Sequence, residues 1–383
     1  MEILIIGGTG ILSSAVVNEC INQHFKVVML NRGTKKTFIN PNAELLKCDV
    51  YNEKLVRELL KNRHFDVVID FLVRTKEEIE YSIKLFGNIA HQYVFISSAQ
   101  AYNTTASGLL KEDSELIQPL WAYSVNKVIC EKYVESQCAK LGIAYTIVRP
   151  GVNYGSTRIP YGTFPAIGRH WTFVERIKAR KPIITWNGGN NKLNLTRVED
   201  FAQGTVGLLG NSKAFNETFN VVGDYIYSWK EVLDILGELI GEEVKTIDIP
   251  LPFYATELDG DSREGLLGGR SKDLVCSNAK LKEVFPSFQT MFNLKEGLAK
   301  TLEFYETHNY YQGFDYAWDG ECDRIITDFY NSQNKKLDFK LDFVLYNEDG
   351  NRLNHKYIYL LNKYKFDFCR KNFLKLLYKL HAI

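Results

Sequence analysis

A glycine-rich turn near the start of the chain limits its possible folds more than any other feature. Residues 3–6 are apolar, residues 7–10 read Gly-Gly-Thr-Gly, and apolar side chains then recur at helical spacing over residues 11–23. A short apolar run that ends in glycines is typical of a strand buried on both faces of a parallel sheet. The sequence therefore predicts a strand, a tight turn and a helix in that order.

The alternation of apolar runs and amphipathic stretches continues to about residue 150. Further strands are predicted over residues 26–30, 66–71, 93–96 and 145–148, and helices over residues 76–89 and 123–141. Repeated βαβ units imply an α/β fold with a doubly wound parallel sheet and right-handed crossovers. Such sheets bind ligands beyond the carboxyl ends of their strands, so the residues after each strand are the candidates for function.

Composition argues against several classes of protein. The 383 residues include 47 basic and 46 acidic side chains, which is unlike a strongly basic nucleic-acid binder, so no nucleic acid is expected. Seven separate cysteines and seven scattered histidines predict reduced thiols in a cytoplasmic protein and no metal site. The short apolar start does not resemble a signal peptide, and no run approaches the roughly 20 apolar residues of a membrane span.

The glycine-rich turn is suited to hold a pyrophosphate. Gly7 and Gly10 would let a phosphate approach the backbone, and a helix starting at Ile11 would offer N–H groups and the positive end of its dipole. Ser13, a small residue, stands where the third glycine of the usual pattern would be. The alternative is a tight strand-to-helix turn with no ligand. The predicted cofactor-binding residues are Gly7, Thr9, Gly10, Ile11, Leu12, Asn31, Arg32 and Asp49.

Two residues after the second predicted strand favour NADP over NAD as the cofactor. An acidic residue at this place would bind the ribose 2′-hydroxyl of NAD, but the chain has Asn31 and Arg32 there. A guanidinium is the better electrostatic match for a 2′-phosphate. Asp49 could accept a hydrogen bond from the adenine amino group, or it could simply cap a turn.

A tyrosine and a lysine four residues apart form the candidate catalytic pair. Tyr123 and Lys127 would lie about one turn apart on one helix face, but Tyr359 and Lys363 have the same spacing. The first pair follows a predicted strand that ends in Ser97 and Ser98, at the sheet edge where ligands bind. This context favours the first pair.

Six ordered motifs resemble those of the extended short-chain dehydrogenase/reductases, which include nucleotide-sugar epimerases and dehydratases. They are GGTGIL near the start, SSAQAY at 97–102, YSVNK at 123–127, RPGVNYG at 149–155, RVEDFA at 197–202 and RSKD at 270–273, spanning roughly residues 1–308. The resemblance implies that Ser98 is the catalytic hydroxyl, Tyr123 the acid/base and Lys127 its partner and a ribose contact. It also suggests a homodimer through the helices carrying Tyr123. A phenolate at neutral pH needs a pKa lowered by roughly 3 units, which Lys127 and an oxidised nicotinamide could supply.

Departures from the family pattern bear on the substrate. The Asp-Glu pair that eliminates water in dehydratases is replaced by Ala99 and Gln100, which favours epimerisation, oxidation or reduction of a sugar. An asparagine that often contacts the sugar diphosphate is shifted by one to Asn153, with Val152 in its usual place. The predicted substrate-binding residues are Arg270, Asn153 and Arg158. A sugar or nucleotide sugar other than a standard UDP-hexose stays open.

The predicted organisation is a Rossmann-type dinucleotide-binding domain over residues 1–155, with residues 196–222 returning to it. A smaller α+β substrate-binding lobe covers residues 156–195 and 223–308, with helices at 228–240 and 294–305 and a strand at 246–249. Residues 309–383 form a basic, aromatic C-terminal extension. Residues 339–346 and 356–361 flank NEDGN and predict a β-hairpin, followed by a basic amphipathic helix over residues 373–380.

Alternatives remain open for the extension and for the whole chain. The extension is favoured as packed protein or an oligomer interface, ahead of a membrane-surface contact or a nucleic-acid contact. The favoured function is an NAD(P)-dependent epimerase or oxidoreductase of a sugar derivative. Its rival is a catalytically silent dinucleotide-binding sensor or RNA-associated scaffold on the same fold.

Overall fold

The computed structural model describes residues 1–104, 108–116, 120–162, 168–310, 313–346 and 350–364. The strands are β1 (Glu2–Ile6), β2 (Lys26–Asn31), β3 (Glu44–Lys47), β4 (Phe65–Asp70), β5 (Ala90–Ile96), β6 (Ala144–Pro150), β7 (Val152–Tyr154), β8 (Ile183–Thr185), β9 (Lys192–Arg197), β10 (Glu217–Val221), β11 (Ile226–Ser228) and β12 (Thr246–Asp248). The α-helices are α1 (Ile11–Asn22), α2 (Glu53–Leu59), α3 (Lys76–Phe86), α4 (Ala122–Leu141), α5 (Trp171–Lys178), α6 (Val198–Val206), α7 (Trp229–Ile240), α8 (Leu251–Glu257), α9 (Gly260–Gly265), α10 (Ala279–Val284), α11 (Leu294–Thr307), α12 (Tyr316–Ser332) and α13 (Arg352–Lys363).

The chain divides into two compact units. The first consists of Met1–Gly155, Lys192–Tyr227 and Leu267–Gly297, and the second of Ser156–Asn191, Ser228–Leu266 and Leu298–Ile383. In neither unit does a described helix have the length and apolar character that a bilayer span requires.

A seven-stranded parallel sheet forms the centre of the first unit. Its strand order is β10-β6-β5-β4-β1-β2-β3. Successive β1 side chains lie on opposite faces of the sheet, with Ile3 and Ile5 in one hydrophobic cluster and Leu4 and Ile6 in the other. Both faces are therefore buried, which explains the continuous apolar strands. The α/β doubly wound fold predicted from the sequence is confirmed.

The strand order reverses beside β1. The chain passes from β1 to β2 and β3 on one side, and then returns to place β4 on the other side of β1. A crevice opens at the carboxyl ends of the strands at such a switch point. The glycine turn follows β1 directly, so it lies where an open sheet of this kind binds its ligand.

The second unit has an aromatic core and a buried group of charges. Tyr161 lies within 6.0 Å, ring centroid to ring centroid, of Phe173, Trp186 and Trp229. The charged cluster consists of Arg176, Lys181, Asp319 and Asp323, whose side chains are at most 3% exposed. It joins α5 and the segment after it to α12.

The C-terminal hairpin predicted from the sequence is wrong. Residues 339–346 form no strand, and residues 356–361 lie within the helix α13. Close packing on α12 explains the difference, because a Cβ on Gly320 would lie only 2.3 Å from the Tyr359 carbonyl oxygen. The aromatic residues that suggest a strand by propensity are therefore used for helix packing. The amphipathic helix predicted over residues 373–380 lies outside the described residues.

Candidate functional site

The glycine turn has a backbone that other residues would not adopt readily. Gly7 and Gly8 have φ angles of +109° and +85°, and a Cβ on Gly8 would lie 2.7 Å from the Met29 side chain. Left-handed φ values favour glycine because it has no Cβ to clash. Ser13 is buried, and its hydroxyl oxygen accepts a hydrogen bond from the Gly10 N–H at 2.8 Å. The serine thus fills the third-glycine position as a helix cap.

The start of α1 leaves donors available beside this turn. The Ser14 N–H donates to the Gly10 carbonyl at 2.9 Å, so the N–H groups of Ile11, Leu12 and Ser13 have no acceptor within the helix. A helix N-terminus with exposed N–H groups and a side-chain-free approach fits a pyrophosphate. The residues present therefore fit a dinucleotide cofactor.

The end of β2 is attached to the glycine turn by one side chain. The Asn31 amide donates to the Gly7 carbonyl at 2.7 Å and accepts from the Gly33 N–H at 2.8 Å. Arg32, between them, is exposed. Asp49 is also exposed, and its carboxylate accepts from the Tyr51 N–H at 3.1 Å, as a turn cap does.

Lys127 is buried at the carboxyl edge of the sheet. Its side-chain nitrogen donates to the carbonyls of Val73 and Ile96, both at 2.8 Å, and lies 5.8 Å from the ring centroid of Tyr123. An ammonium has three N–H donors, and the described residues accept from two of them, so the third can serve a ligand. Burial lowers the pKa of Lys127 to about 8, although the neighbouring Cys130 and Asp70 oppose that shift.

This pKa predicts a pH dependence of stability. Because the folded pKa of about 8 lies below the ordinary 10.5, the unfolded chain binds more protons between these pH values. The free energy of unfolding of the intact chain, relative to Lys127→Met, should therefore rise by about 2 kcal/mol from pH 7.5 to 10. Urea denaturation at several pH values measures it. Lys132→Met, an exposed position on the same helix, should show no such difference, and parallel pH curves for Lys127→Met would contradict the prediction.

Lys127 lies beside the Tyr123 ring and binds the main chain two residues before Ser98. Ser98 is 7% exposed, follows β5 by two residues, and its hydroxyl oxygen accepts from the Gln100 N–H at 3.1 Å. Tyr123 is the second residue of α4, is half-buried, and its ring centroid lies 5.0 Å from that of Trp121. Since Lys127 binds the Ile96 carbonyl and lies beside the Tyr123 ring, these elements meet at one edge.

A buried polar network that the sequence analysis missed supports the segment carrying Ser98. The Ser97 hydroxyl donates to Glu131 at 2.5 Å, and Arg149 donates to both carboxylate oxygens of Glu131 at 3.0 and 2.7 Å. Arg149 also donates to the Tyr102 hydroxyl at 2.8 Å, and that hydroxyl donates to Asn220 at 2.7 Å. The only sequence signal was a charged residue, Arg149, ending an apolar strand.

The Trp121 ring lies between the predicted substrate residue Arg270 and Tyr123, a predicted catalytic residue. The Arg270 guanidinium carbon lies 5.8 Å from the Trp121 ring centroid. A Cβ on the preceding residue, Gly269, would lie 2.4 Å from the Gln100 side-chain oxygen, so the glutamine side chain would have to move. That oxygen is buried and has no hydrogen-bond partner among the described residues.

The other two predicted substrate residues occupy different places. Asn153 lies on β7, is buried, and donates from its amide to the Gly151 carbonyl at 2.9 Å. Arg158 belongs to the second unit, so its part in a site stays a prediction. Within the described ranges, no three His, Cys, Asp or Glu side chains are grouped so as to hold a metal ion.

Comparison with known sequences identifies the family. The family model described as "NAD dependent epimerase/dehydratase family" matches residues 3–222. The chain belongs to this family. The predicted family and enzyme class are therefore confirmed.

The individual relatives have low sequence identity to the chain, but the matches extend over more than half of it. The chain is 28% identical over 258 residues to a putative UDP-glucose 4-epimerase of Methanocaldococcus jannaschii, covering 62% of this chain and 82% of that protein. It is also 28% identical over 237 residues to the chloroplast stem-loop binding protein of 41 kDa b of Arabidopsis thaliana, covering 58% and 59%. Among solved structures, a UDP-glucuronic acid 4-epimerase of Bacillus cereus in complex with UDP-glucuronic acid and NAD has a TM-score of 0.64 at 19% identity, over 80% of this chain and 100% of that one.

Proposed function

We propose that the chain is an NAD(P)-dependent epimerase or oxidoreductase that acts on a nucleotide sugar or related sugar derivative. The observation that carries the proposal is the placement of the Lys127 ammonium. Two main-chain carbonyls hold it, it lies beside the Tyr123 ring, and one of its N–H donors remains. The M. jannaschii and B. cereus relatives, whose names refer to UDP-sugars, support the substrate class.

The roles of the three catalytic residues follow from this arrangement. A bound nicotinamide would accept a hydride from the sugar carbon and return it. Tyr123 would take up and return the proton of the sugar hydroxyl, and the nearby Lys127 ammonium would stabilise the phenolate that forms. Lys127 would use its remaining N–H on a ribose hydroxyl of the cofactor. Ser98 would hold the reacting oxygen by a hydrogen bond, as its hydroxyl can donate while it accepts from Gln100.

The residues around Ser98 favour epimerisation or simple redox chemistry over dehydration. Elimination of water needs an acid and a base beside the sugar, and Ala99 and Gln100 provide neither. The charge of Arg270 suits the diphosphate of a nucleotide sugar, and Asn153 is a second candidate contact. The part of Arg158 in substrate binding stays a prediction; within the second unit, burial and the charge of Arg158 lower the pKa of His170 to about 4.

Two measurements on the purified chain test this proposal. Mass spectrometry of the nucleotide that co-purifies should find NAD or NADP. Incubation with a panel of nucleotide sugars should then give either a stereoisomer, seen by NMR, or a change in nicotinamide absorbance. Absence of dinucleotide binding, or conversion of a sugar with loss of water, would contradict the proposal.

We propose that NADP is the preferred cofactor, with Arg32 contacting its 2′-phosphate. Arg32 is exposed at the end of β2, and no carboxylate occupies residues 30–34 to bind the ribose of NAD. Arg32→Ala should weaken NADP⁺ binding about fivefold and leave NAD⁺ binding unchanged, because only the phosphate contact is lost. Isothermal titration calorimetry measures both affinities, with Arg57→Ala as an exposed control on α2. Equal losses for the two cofactors would refute the contact.

A homodimer through α4 is also proposed. Val125 and Ile129 lie one turn apart on this helix and are 38% and 37% exposed. Two apolar side chains at this spacing on a solvent-facing surface suit contact with a second copy of the helix. Sedimentation equilibrium of the full chain tests it, and a monomer at micromolar concentration would contradict it.

The cysteines bear on the location of the protein. The six within the described residues are free and buried, namely Cys20, Cys48, Cys130, Cys138, Cys276 and Cys322. Free thiols persist in a reducing compartment. They support a cytoplasmic location, which stays a prediction.

A further inference from the structure

Lys47 lies at the same edge of the sheet as the proposed cofactor residues. It is the last residue of β3, in parallel register with Asn31, and the Cys48 N–H donates to the Asn31 carbonyl at 2.9 Å. Parallel strands end at a common edge, so Lys47 and the residues after β2 emerge side by side. The sequence analysis did not consider Lys47, because β3 was not predicted.

The turn after β2 is shaped to accept the Lys47 side chain. Gly33 has a φ of +67°, in the left-handed region that favours glycine. A Cβ on Gly33 would lie 3.4 Å from each of three consecutive Lys47 carbons, Cγ, Cδ and Cε. The lysine stem therefore runs along the glycine, and its ammonium, bonded to Cε, lies close to the turn that carries Arg32.

Neither cation of this pair is neutralised within the described part of the chain. Arg32 and Lys47 are both exposed, and neither makes an ion pair or hydrogen bond through its side chain there. By contrast, the exposed Arg57 pairs with Glu53, and Arg63 pairs with two carboxylates. Two neighbouring positive charges without a counter-ion attract a multivalent anion.

We infer that Lys47 is a second cation for the 2′-phosphate of NADP. Lys47 and Arg32 bind the phosphate together from the ends of two adjacent strands. This rests on the proposed function, since it assigns a further residue to the cofactor site proposed there. A phosphate monoester carries up to two negative charges, so two cations match it better than one. Because Gly33 has no side chain, the Lys47 stem can pack against the turn after β2. The Asn31 side chain joins that turn to the glycine turn.

The test is the change in cofactor affinity of the full chain on Lys47→Met, which keeps the stem packed on Gly33 and removes the charge. We expect NADP⁺ and 2′,5′-ADP to bind about tenfold more weakly, and NAD⁺ and 5′-AMP to change less than about twofold. Added salt should weaken NADP⁺ binding by the intact chain more than by the variant. Lys61→Met, an exposed lysine that precedes β4 and so lies at the opposite edge of the sheet, is the matched control.

The outcomes distinguish failure of the Lys47 inference from failure of the proposed function. An unchanged NADP⁺ affinity, or equal losses for NADP⁺ and NAD⁺, overturns the role of Lys47 while the enzyme assignment stands. Inorganic phosphate that competes equally with NAD⁺ and NADP⁺ would show a general anion site and would also overturn that role. Failure of the intact chain to bind either dinucleotide overturns both the inference and the proposed function.

Discussion

Tyr123→Phe should lower the rate of sugar conversion by about 10³-fold and change cofactor affinity less than about threefold. The hydroxyl that moves the proton is lost, and general acid–base catalysis contributes roughly 10²–10⁴-fold to a rate. The phenyl ring can still pack beside Trp121, whose ring centroid lies 5.0 Å away. Stopped-flow measurement of nicotinamide absorbance gives the rate, and calorimetry gives the affinity.

Tyr133→Phe is the matched control for this experiment. Tyr133 lies on the same helix, is half-buried and makes no hydrogen bond through its hydroxyl within the described residues. The Tyr133→Phe variant should convert the sugar at the rate of the intact chain. If Tyr123→Phe retains full activity, the acid/base role is wrong. If the intact chain binds dinucleotide and converts none of the tested sugars, the silent dinucleotide-binding alternative is favoured.

Asp319→Asn should lower the free energy of unfolding of the second unit by about 3–5 kcal/mol. Asp319 contacts Arg176 at 2.5 Å and Lys181 at 2.7 Å, and neither Asp319 nor Arg176 has any exposed side-chain area. Removing one partner of a buried ion pair leaves an uncompensated charge away from water, which costs about 3–5 kcal/mol. Asparagine keeps the size and removes the charge, so the loss measures electrostatics rather than a cavity.

Asp328→Asn is the control on the same helix. Asp328 pairs with Arg324 at 3.1 Å, but its side chain is 42% exposed, and such pairs contribute less than about 1 kcal/mol. Urea denaturation followed by tryptophan fluorescence compares the two variants. Equal losses of unfolding free energy would contradict the prediction that the buried ion pairs contribute more to stability than the exposed pair.

The second aspartate of the cluster sets its acid sensitivity. Burial acts to raise the pKa of Asp323, but the charges of Arg176 and Lys181 outweigh it and hold the pKa below the ordinary 3.8. A carboxyl group with a lowered folded pKa stabilises the protein above its unfolded pKa and loses that contribution as the pH falls. The ion pairs of Asp323 therefore persist at neutral pH.

Sequence periodicity predicted those elements whose own residue pattern reflects how they are buried. The strands β1, β2, β4, β5 and β6 were predicted because continuous apolar runs are needed where both faces are covered. The short β3, with the sequence ELLK and half-buried leucines, gave no comparable signal. The helix α13 was predicted as a strand, because its close packing against Gly320 of α12 depends on a residue far away in sequence.

The candidate site was predictable where its residues share one element and not where they meet through the fold. Tyr123 and Lys127 are four residues apart, and the structure places both on α4. The equally spaced Tyr359 and Lys363 have other partners, because Tyr359 is buried and donates to Asp323 at 2.5 Å, while Lys363 binds the Leu341 carbonyl. The network of Ser97, Glu131 and Arg149 joins separate elements, so spacing alone gave no sign of it.

The double bridge made by Asn31 restricts how the cofactor preference of this chain could be re-engineered. The standard route to an NAD enzyme places an acidic residue at the end of the second strand. Here that substitution would remove the amide donor from the Gly7 carbonyl and set a carboxylate against that oxygen. A change of preference must therefore avoid position 31 and act through Arg32 or Lys47, whose side chains can be altered without loosening the turn that receives the pyrophosphate.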